Sequence, residues 1–230
     1  MSDGDWSHLD RARSRTERPL ADRTRDADRL PVGVLRFCGI RPGAVVVDLM
    51  AGAGYYTEIL SAAVGPQGRV YGHNSPFVLA RYAEKPWSER LARLPYDNVT
   101  RVDAEPELIR IDEPADIALL IRFYHDFYWQ NVDRAAFNAS VMATLRPGGI
   151  FCVLDHHAEP GSRDRDVKTL HRVDAAMVRE EIESAGFVFD GESDILRNPG
   201  DDRSWNIFAN DAMRRDKTDR FLYRFRKPDD

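Results

Sequence analysis

The stretch that decides the fold is VVVDLMAGAGYYTEIL, residues 45–60. Its first residues have the apolar character of a buried strand, and the residues from Tyr55 onward have the pattern of a helix. Between them, Gly52 and Gly54 are separated by one alanine. A glycine-rich turn between a strand and a helix is typical of nucleotide-like ligands, because backbone amides and the helix N-terminus point at the ligand. The stretch therefore predicts an α/β fold with a ligand site.

The spacing of this turn excludes two common phosphate-binding motifs. A dinucleotide fold needs G-x-G-x-x-G, but Thr57 stands where the third glycine belongs. A phosphate-binding loop needs Gly-Lys followed by Ser or Thr, which this turn lacks. Instead, Asp48 lies four residues before Gly52. This arrangement suits a ligand with an amino-acid end, since a carboxylate favours its ammonium while loop amides hold its carboxylate.

The composition predicts a soluble protein with one sizeable core. The chain has 230 residues, of which 43% are hydrophobic, and a net charge of -5 with acids interleaved among the arginines. This charge argues against a nucleic-acid partner. Two cysteines, Cys38 and Cys152, are too few for an iron–sulfur cluster or a cysteine zinc site. No run has the length of a signal peptide core or a membrane span, so we expect a cytoplasmic protein without a membrane partner. A homodimer is left open.

Outward from the glycine turn, apolar strands alternate with helical segments. This alternation predicts a Rossmann-like, mostly parallel sheet of seven strands with helices on both faces. We assign residues 31–230 to a single domain. Residues 1–30 are charged and poor in large apolar residues, which predicts an N-terminal arm that is either partly disordered or a lid.

Polar residues stand at the ends of the first five predicted strands. In a parallel sheet the ligand lies beyond the carboxyl ends of the strands, where the strand order reverses. A packed sheet has no structural need for such a set, so together these residues predict a site at this edge. They are Asp48, His73, Asn74, Asp103, His125, Asp126, Asp155, His156 and His157.

Residues 44–155 resemble the class I S-adenosylmethionine-dependent methyltransferases. Asp48, Gly52 and Gly54 match the first motif of that family. By the resemblance, Asn74 stands where an acidic residue usually holds the ribose hydroxyls, which is a departure from the pattern. The resemblance further implies an antiparallel last strand, a place for Asp103 near the adenine and S-adenosylmethionine as the cofactor. The cofactor-binding residues that we expect are Asp48, Ala51, Gly52, Gly54, Tyr55, Asn74, Asp103, Ala104 and Arg122.

A narrower likeness extends over most of the chain. The segments RFYHD, LDHHAEPGS, LHRVD, LRNP and KTDRF are similar to those of a bacterial group known mainly as predicted methyltransferases. That group implies a fold and a cofactor, but no methyl acceptor. Since the chain shows no added substrate-recognition domain, we expect a small-molecule acceptor.

The histidines after the fourth and fifth strands are the candidate catalytic residues. Methyl transfer mainly requires alignment of donor and acceptor, but a hydroxyl or protonated-nitrogen acceptor also needs a base. The candidates for the base and for acceptor-orienting groups are His125, Asp126, His156 and His171. Among the nearby aromatic residues, we expect Phe123 and Phe127 to pack under the next helix, and Tyr124 or Tyr128 to line the acceptor pocket.

A divalent metal is the weaker alternative. Asp155 and His156 resemble the Asp-Asn pair of the catechol-type, magnesium-dependent methyltransferases, but histidine suits magnesium poorly. Ile121 occupies the place of a further aspartate in that subgroup. We therefore assign no metal ligand. Two other functions stay open, namely a metal enzyme that uses His and Asp ligands on this fold, and a non-catalytic ligand-binding protein.

Overall fold

The computed structural model describes residues 5–208, 214 and 216–229. In this part of the chain, seven strands form one sheet in the order β3-β2-β1-β4-β5-β7-β6. Strand β7 pairs antiparallel with both β5 and β6, and the pairs among β1 to β5 are parallel. The predicted Rossmann-like fold with an antiparallel last strand is therefore confirmed. The strands are β1 Val45–Leu49, β2 Arg69–Asn74, β3 Val99–Asp103, β4 Ala115–Ile121, β5 Leu145–His156, β6 Val188–Ser193 and β7 Arg220–Arg226.

Helices flank both faces of this sheet. They are α1 Ser7–Arg13, α2 Leu20–Arg23, α3 Asp26–Arg29, α4 Pro31–Cys38, α5 Tyr55–Val64, α6 Pro76–Val78, α7 Glu84–Leu91, α8 Tyr124–Gln130, α9 Arg134–Thr144 and α10 Ala175–Ser184, with a π-helical segment, Leu79–Ala83, between α6 and α7. Two hydrophobic cores of buried residues result, which is the arrangement expected for a sheet covered on both faces.

Sequence signals account for most of these boundaries. Pro31 opens α4 and Gly39 ends it in the left-handed conformation. The side chain of Asp174 caps α10 by accepting a hydrogen bond from the Ala176 amide, as predicted. Helix α8 is the element that the sequence pattern missed, because its run of aromatic residues has no clear polar face.

The N-terminal arm is helical and is anchored to the domain. In α1, Leu9 is fully buried in the same core as α4 and α5. Arg18 makes a two-pronged ion pair with Asp26, at 2.7 and 3.0 Å, and Asp26 also accepts a hydrogen bond from the Tyr55 hydroxyl at 2.5 Å. These contacts join the arm to the first turn of α5, next to the glycine turn.

Strand β1 pairs with β2 on one side and with β4 on the other, so the strand order reverses at β1. The crevice beyond the carboxyl ends of β1 and β4 is the place where such sheets bind ligands. None of the helices in the described residues is long and apolar enough to span a bilayer.

Candidate functional site

A cavity of about 480 Å³ lies beyond the carboxyl ends of β1 and β4. The structure places eight of the predicted site residues in its wall, namely Asp48, Ala51, Gly52, Tyr55, Arg122, His125, Asp126 and His171. Five others do not line it, namely Gly54, Asn74, Asp103, Ala104 and His156.

Asp48 lies in the wall of the cavity, where it is shielded from solvent. It is buried, and the hydroxyl of Thr57 donates a hydrogen bond to its carboxylate. Burial raises the pKa of Asp48 to about 7, against the opposing effect of the Thr57 hydrogen bond. Thr57 thus serves as a hydrogen-bond donor to Asp48, at the position where a dinucleotide fold would carry its third glycine. No cationic group of the described residues pairs with Asp48, so a ligand ammonium would find an unpaired buried carboxyl here.

The glycine turn is shaped by Gly52, Gly54 and Asn74. Both glycines have positive φ angles, of 58° and 78°. A Cβ added to Gly54 would lie 2.5 Å from the buried Trp87 ring, so glycine is required there for packing. A Cβ added to Gly52 would meet nothing within 4 Å, and Gly52 lines the cavity. Gly52 therefore leaves room for a ligand, whereas Gly54 leaves room for the protein's own tryptophan.

Asn74 supports the turn from behind. Its Oδ1 accepts a hydrogen bond from the Gly52 amide at 2.8 Å, and its Nδ2 donates to the Gly52 carbonyl at 3.0 Å. Asn74 is fully buried and does not line the cavity, so this geometry does not bring its amide to a ribose. The structure thus shows Asn74 holding Gly52, and the ribose contact implied by the resemblance stays a prediction.

This contact changes what Asn74→Asp should do. If Asn74 bound a ribose, an aspartate in its place would bind it as well. If Asn74 holds Gly52, an aspartate cannot donate a hydrogen bond to the Gly52 carbonyl, and its carboxylate oxygen would face the carbonyl oxygen instead. We expect at least about a tenfold loss of cofactor affinity, the equivalent of one buried hydrogen bond left unmade. Calorimetric titration with S-adenosylmethionine measures it. Equal or tighter binding would restore the ribose role.

Asp103 and Ala104 lie beyond the cavity wall. Asp103 pairs with Arg101 on the protein surface, and the Ala104 carbonyl lies 3.0 Å from His73 Nε2. Burial lowers the pKa of His73 to about 4, so the imidazole is neutral and its Nε2–H donates to that carbonyl. The adenine contacts implied by the resemblance thus stay a prediction.

Arginines dominate the opposite wall. Arg29 and Arg122 line the cavity, and both contact Asp216, which also receives a two-pronged contact from Arg25. Burial and the charge of Arg122 lower the pKa of Arg29 to about 10, which still leaves it charged at neutral pH. Among the residues that the structure describes, Asp216 thus faces three guanidinium groups, which gives this cluster an excess of positive charge. Sequence patterns gave no signal for Asp216, which lies far along the chain from the other members.

The other end of the cavity is formed by His125, Asp126 and His171. Asp155, fully buried at the end of β5, accepts hydrogen bonds from the His125 amide and, at 2.7 Å, from the ring Nδ1. His125 is 1% exposed, and its Nε2 lies 3.2 Å from Asp126 Oδ1 without a hydrogen bond. Burial disfavours the charged imidazole, but the charges of Asp155 and Asp126 outweigh burial and raise the pKa of His125 to about 10.

Asp126 connects the two histidines. Its Oδ1 accepts a hydrogen bond from Trp129 Nε1 at 2.7 Å and lies 3.1 Å from His171 Nδ1. Burial opposes ionisation of Asp126, but the neighbouring His125 and its other donors hold its pKa well below the usual range. The side chain of His171 is 20% exposed, so it is the more accessible of the two cavity imidazoles.

His156 does not line the cavity, although its ring packs edge-on against that of His125 with ring centres 5.7 Å apart. Its Nε2 accepts a hydrogen bond from Arg122 Nε at 3.1 Å, and its Nδ1 lies 2.6 Å from the Thr218 hydroxyl. Burial and the charge of Arg122 keep the pKa of His156 well below its ordinary value. The contacts of His156 give it a part in orienting Arg122 behind the cavity wall.

Aromatic rings form the mouth of the cavity. Phe77 packs edge-on against Trp129, and Phe208 packs against His171 with ring centres 4.8 Å apart. Both Phe77 and Phe208 are exposed, and Tyr82 lies beside them in the wall. The sequence interpretation did not single out these three residues.

The tyrosines that were expected here face elsewhere. Tyr124 and Tyr128 both donate to Glu181 and do not line the cavity. Phe123 and Phe127 are buried in the core, as predicted, although Phe123 also reaches the cavity wall.

Three non-glycine residues of the wall have left-handed backbone conformations. They are Met50, Arg122 and His171, with φ angles of 50°, 62° and 54°. Such a conformation costs a residue with a Cβ roughly 1–2 kcal/mol. Each of the three places its side chain in the cavity wall at or after the end of a strand.

Comparisons with known proteins agree on the fold. No family model matches the chain, and no curated protein sequence matches it. A solved S-adenosylmethionine-dependent methyltransferase from Aquifex aeolicus superimposes with a TM-score of 0.63 at 18% identity, covering 97% of this chain and 98% of that one. The cyclase SpnF superimposes with a TM-score of 0.64 at 17% identity, over 88% of this chain and 81% of that one.

A third solved structure is that of a glycopeptide N-methyltransferase in complex with sinefungin. It has a TM-score of 0.60 and 18% identity, over 87% of this chain and 86% of that one. At these identities the likeness establishes the architecture and leaves the reaction to be argued from the site. The chain has the fold of the class I S-adenosylmethionine-dependent methyltransferases.

Proposed function

We propose that this protein is a methyltransferase that uses S-adenosylmethionine to methylate a small molecule. The observation that carries the proposal is a cavity at the strand-order reversal that is lined by two chemically different groups of residues, called its two ends below. One end has the glycine turn, an unpaired buried carboxyl and a positive wall. The other end has two imidazoles and a carboxylate, which suit an acceptor that must be oriented and deprotonated.

The first end fits the amino-acid part of the cofactor. Asp48 would bind its ammonium, and Arg29 and Arg122 would bind its carboxylate through charge-assisted hydrogen bonds. Arg29 Nε makes no hydrogen bond and lies 3.4 Å from Asp216 Oδ1, so this guanidinium keeps the capacity to donate to a ligand carboxylate. The cavity of about 480 Å³ is within the range of about 300–1,000 Å³ for small-ligand sites.

The second end would hold the acceptor. S-Adenosylmethionine supplies a methyl group that is bound to a sulfonium sulfur. When a lone pair of the acceptor bonds to the methyl carbon, the carbon–sulfur bond breaks and its electron pair stays on the sulfur. His171 is the more exposed imidazole and can accept the acceptor's proton at Nε2, while Asp126 faces its Nδ1. His125 is held by Asp155 at the bottom of this end and limits where the acceptor can sit.

A small acceptor is favoured by the cavity mouth and by the surface charge. The exposed rings of Phe77 and Phe208 give an apolar rim, which suits a planar or apolar acceptor better than a charged polymer. The net charge of -5 disfavours nucleic acid as well.

Calorimetric titration with S-adenosylmethionine and S-adenosylhomocysteine tests the cofactor site. Both should bind the wild type, and Gly52→Val should lose at least about 100-fold in affinity. The valine side chain would enter the cavity, and a β-branched residue would also strain the turn at this positive φ. Gly43→Val is the matched control, since Gly43 also has a positive φ with open space around its Cβ but lies far from the cavity. Unchanged affinity in Gly52→Val would refute the placement.

Cofactor affinity should also depend on pH through Asp48. The pKa of Asp48 in the folded protein, about 7, exceeds its ordinary value of 3.8. The folded state therefore holds this proton more tightly than the unfolded state does, and the stability that the proton gives to the free protein is lost as the pH rises through 7. A ligand ammonium instead favours the ionised carboxylate. Affinity should therefore rise between pH 5.5 and 7, by up to about tenfold per pH unit. Titrations of Asp48→Asn over the same range should show a flatter profile, and an equally steep one would contradict this role.

A different reaction on the same fold is the second candidate. One structural neighbour is named as a cyclase, so this architecture is not confined to methyl transfer. Formation of S-adenosylhomocysteine in the presence of an acceptor separates the two functions, because only methyl transfer produces it.

A further inference from the structure

We propose that His125, Asp126 and His171 form a binding site for one divalent transition-metal ion at the acceptor end of the cavity. One ligand atom from each residue lies within 4.8 Å of the other two. The proposal concerns metal binding and does not depend on the proposed methyl transfer.

The spacing of the donor atoms suits a shared ion. Two ligands at about 2.1 Å from one metal ion, at angles of 90–109°, are about 3.0–3.4 Å apart. His125 Nε2 and His171 Nδ1 lie 3.2 and 3.1 Å from Asp126 Oδ1. Both imidazole nitrogens therefore have the spacing from the carboxylate oxygen that ligands of one ion have, and the three atoms lie within 4.8 Å of one another.

His125 is held as a metal-binding histidine usually is. Such histidines donate their other ring N–H to a carboxylate or carbonyl, which fixes the tautomer and leaves the second nitrogen for the ion. Here Nδ1 lies 2.7 Å from Oδ1 of the fully buried Asp155. Nε2 is buried and lies 3.2 Å from Asp126 Oδ1 without a hydrogen bond. An ion bound between these two atoms would take the place of the Nε2 proton.

The ligand set determines which ion fits. Two imidazoles and one carboxylate suit zinc, manganese, iron or cobalt, whereas magnesium and calcium prefer all-oxygen sites. Three protein ligands leave further coordination positions, and these would face the cavity that all three residues line. An acceptor hydroxyl or carboxylate is the class of group that would bind there. The site uses neither Asp155 nor His156 as a ligand and so differs from the catechol-type arrangement considered from the sequence.

The experiment is a titration of the chelator-treated, full-length protein with Co²⁺, followed by its visible absorption. We expect one Co²⁺ per chain with bands of a nitrogen- and oxygen-ligated ion, displaced by Zn²⁺ but not by Mg²⁺. His171→Ala and Asp126→Asn should each weaken binding at least about tenfold. Circular dichroism should show that both variants are folded; for Asp126→Asn, the new amide oxygen can still accept from Trp129. His157→Ala is the control, because His157 does not line the cavity.

Two results would overturn the site. One is a wild-type affinity no higher than that of the double variant with both substitutions, and the other is an equal loss in His157→Ala. Titration of the same preparations with S-adenosylmethionine keeps the two proposals apart. Cofactor binding without Co²⁺ binding refutes the metal site alone, and Co²⁺ binding without cofactor binding refutes the proposed function alone.

Discussion

Replacing His171 by alanine should slow methyl transfer about 100-fold or more while leaving the affinity for S-adenosylmethionine unchanged. His171 lines the cavity and lies 3.1 Å from Asp126, and its loss removes the group that we propose acts on the acceptor. Asp48 and Gly52, which we propose bind the cofactor, are untouched. Whether the imidazole takes the proton itself or holds a metal ion, the loss falls on turnover.

The measurement is single-turnover formation of S-adenosylhomocysteine with the enzyme in excess over cofactor, using an acceptor selected from small hydroxyl and amine compounds. His157→Ala is again the control histidine. His156→Ala should behave differently from His171→Ala, because His156 bonds Arg122 and its loss should weaken cofactor binding. Full turnover in His171→Ala would mean that alignment alone drives the reaction.

Replacing Asp26 by alanine should lower the free energy of unfolding by about 3–5 kcal/mol. The Arg18 and Asp26 side chains are 1% and 7% exposed, and they form a two-pronged ion pair. The substitution leaves the Arg18 guanidinium buried without its counter-charge and the Tyr55 hydroxyl without its acceptor. Breaking one partner of a buried pair is far more costly than losing a surface pair.

Urea denaturation followed by circular dichroism measures this loss. Asp10→Ala is the matched control, since Asp10 is an exposed aspartate of α1 and should change stability by no more than about 0.5 kcal/mol. A loss in Asp26→Ala as small as that of the control would show that this buried ion pair stabilises the protein no more than a surface pair does.

The architecture was predictable because its signals are local. The valines before Asp48, the glycines after it and the 3.6-residue pattern from Tyr55 are all contained in sixteen residues, and the structure bears them out as β1 and α5. The position of the site followed as well, because parallel strands bring their carboxyl ends to one edge. His125, Asp126 and His171 meet there, although His171 is 45 residues from Asp126 in the chain.

The finer contacts were not predictable, because they depend on side-chain direction and on distant segments. Asp216 joins Arg25 across 191 residues, and no short-range pattern marks that pairing. Asn74 points back at Gly52, which its place in a motif cannot reveal. The contacts of His156 are of the same kind, because they join its ring to Arg122 and His125 on other elements.

The left-handed residues of the cavity wall are positions where substitutions chosen for stability alone would remove side chains from the cavity. A design procedure that maximises thermal stability would favour glycine at Met50, Arg122 and His171, because glycine adopts a positive φ without the steric penalty of a Cβ. Each exchange would relieve local strain and at the same time delete the side chain of a residue that lines the cavity. Selection for heat resistance should therefore favour glycine at these three positions, whereas selection for turnover should favour the present side chains.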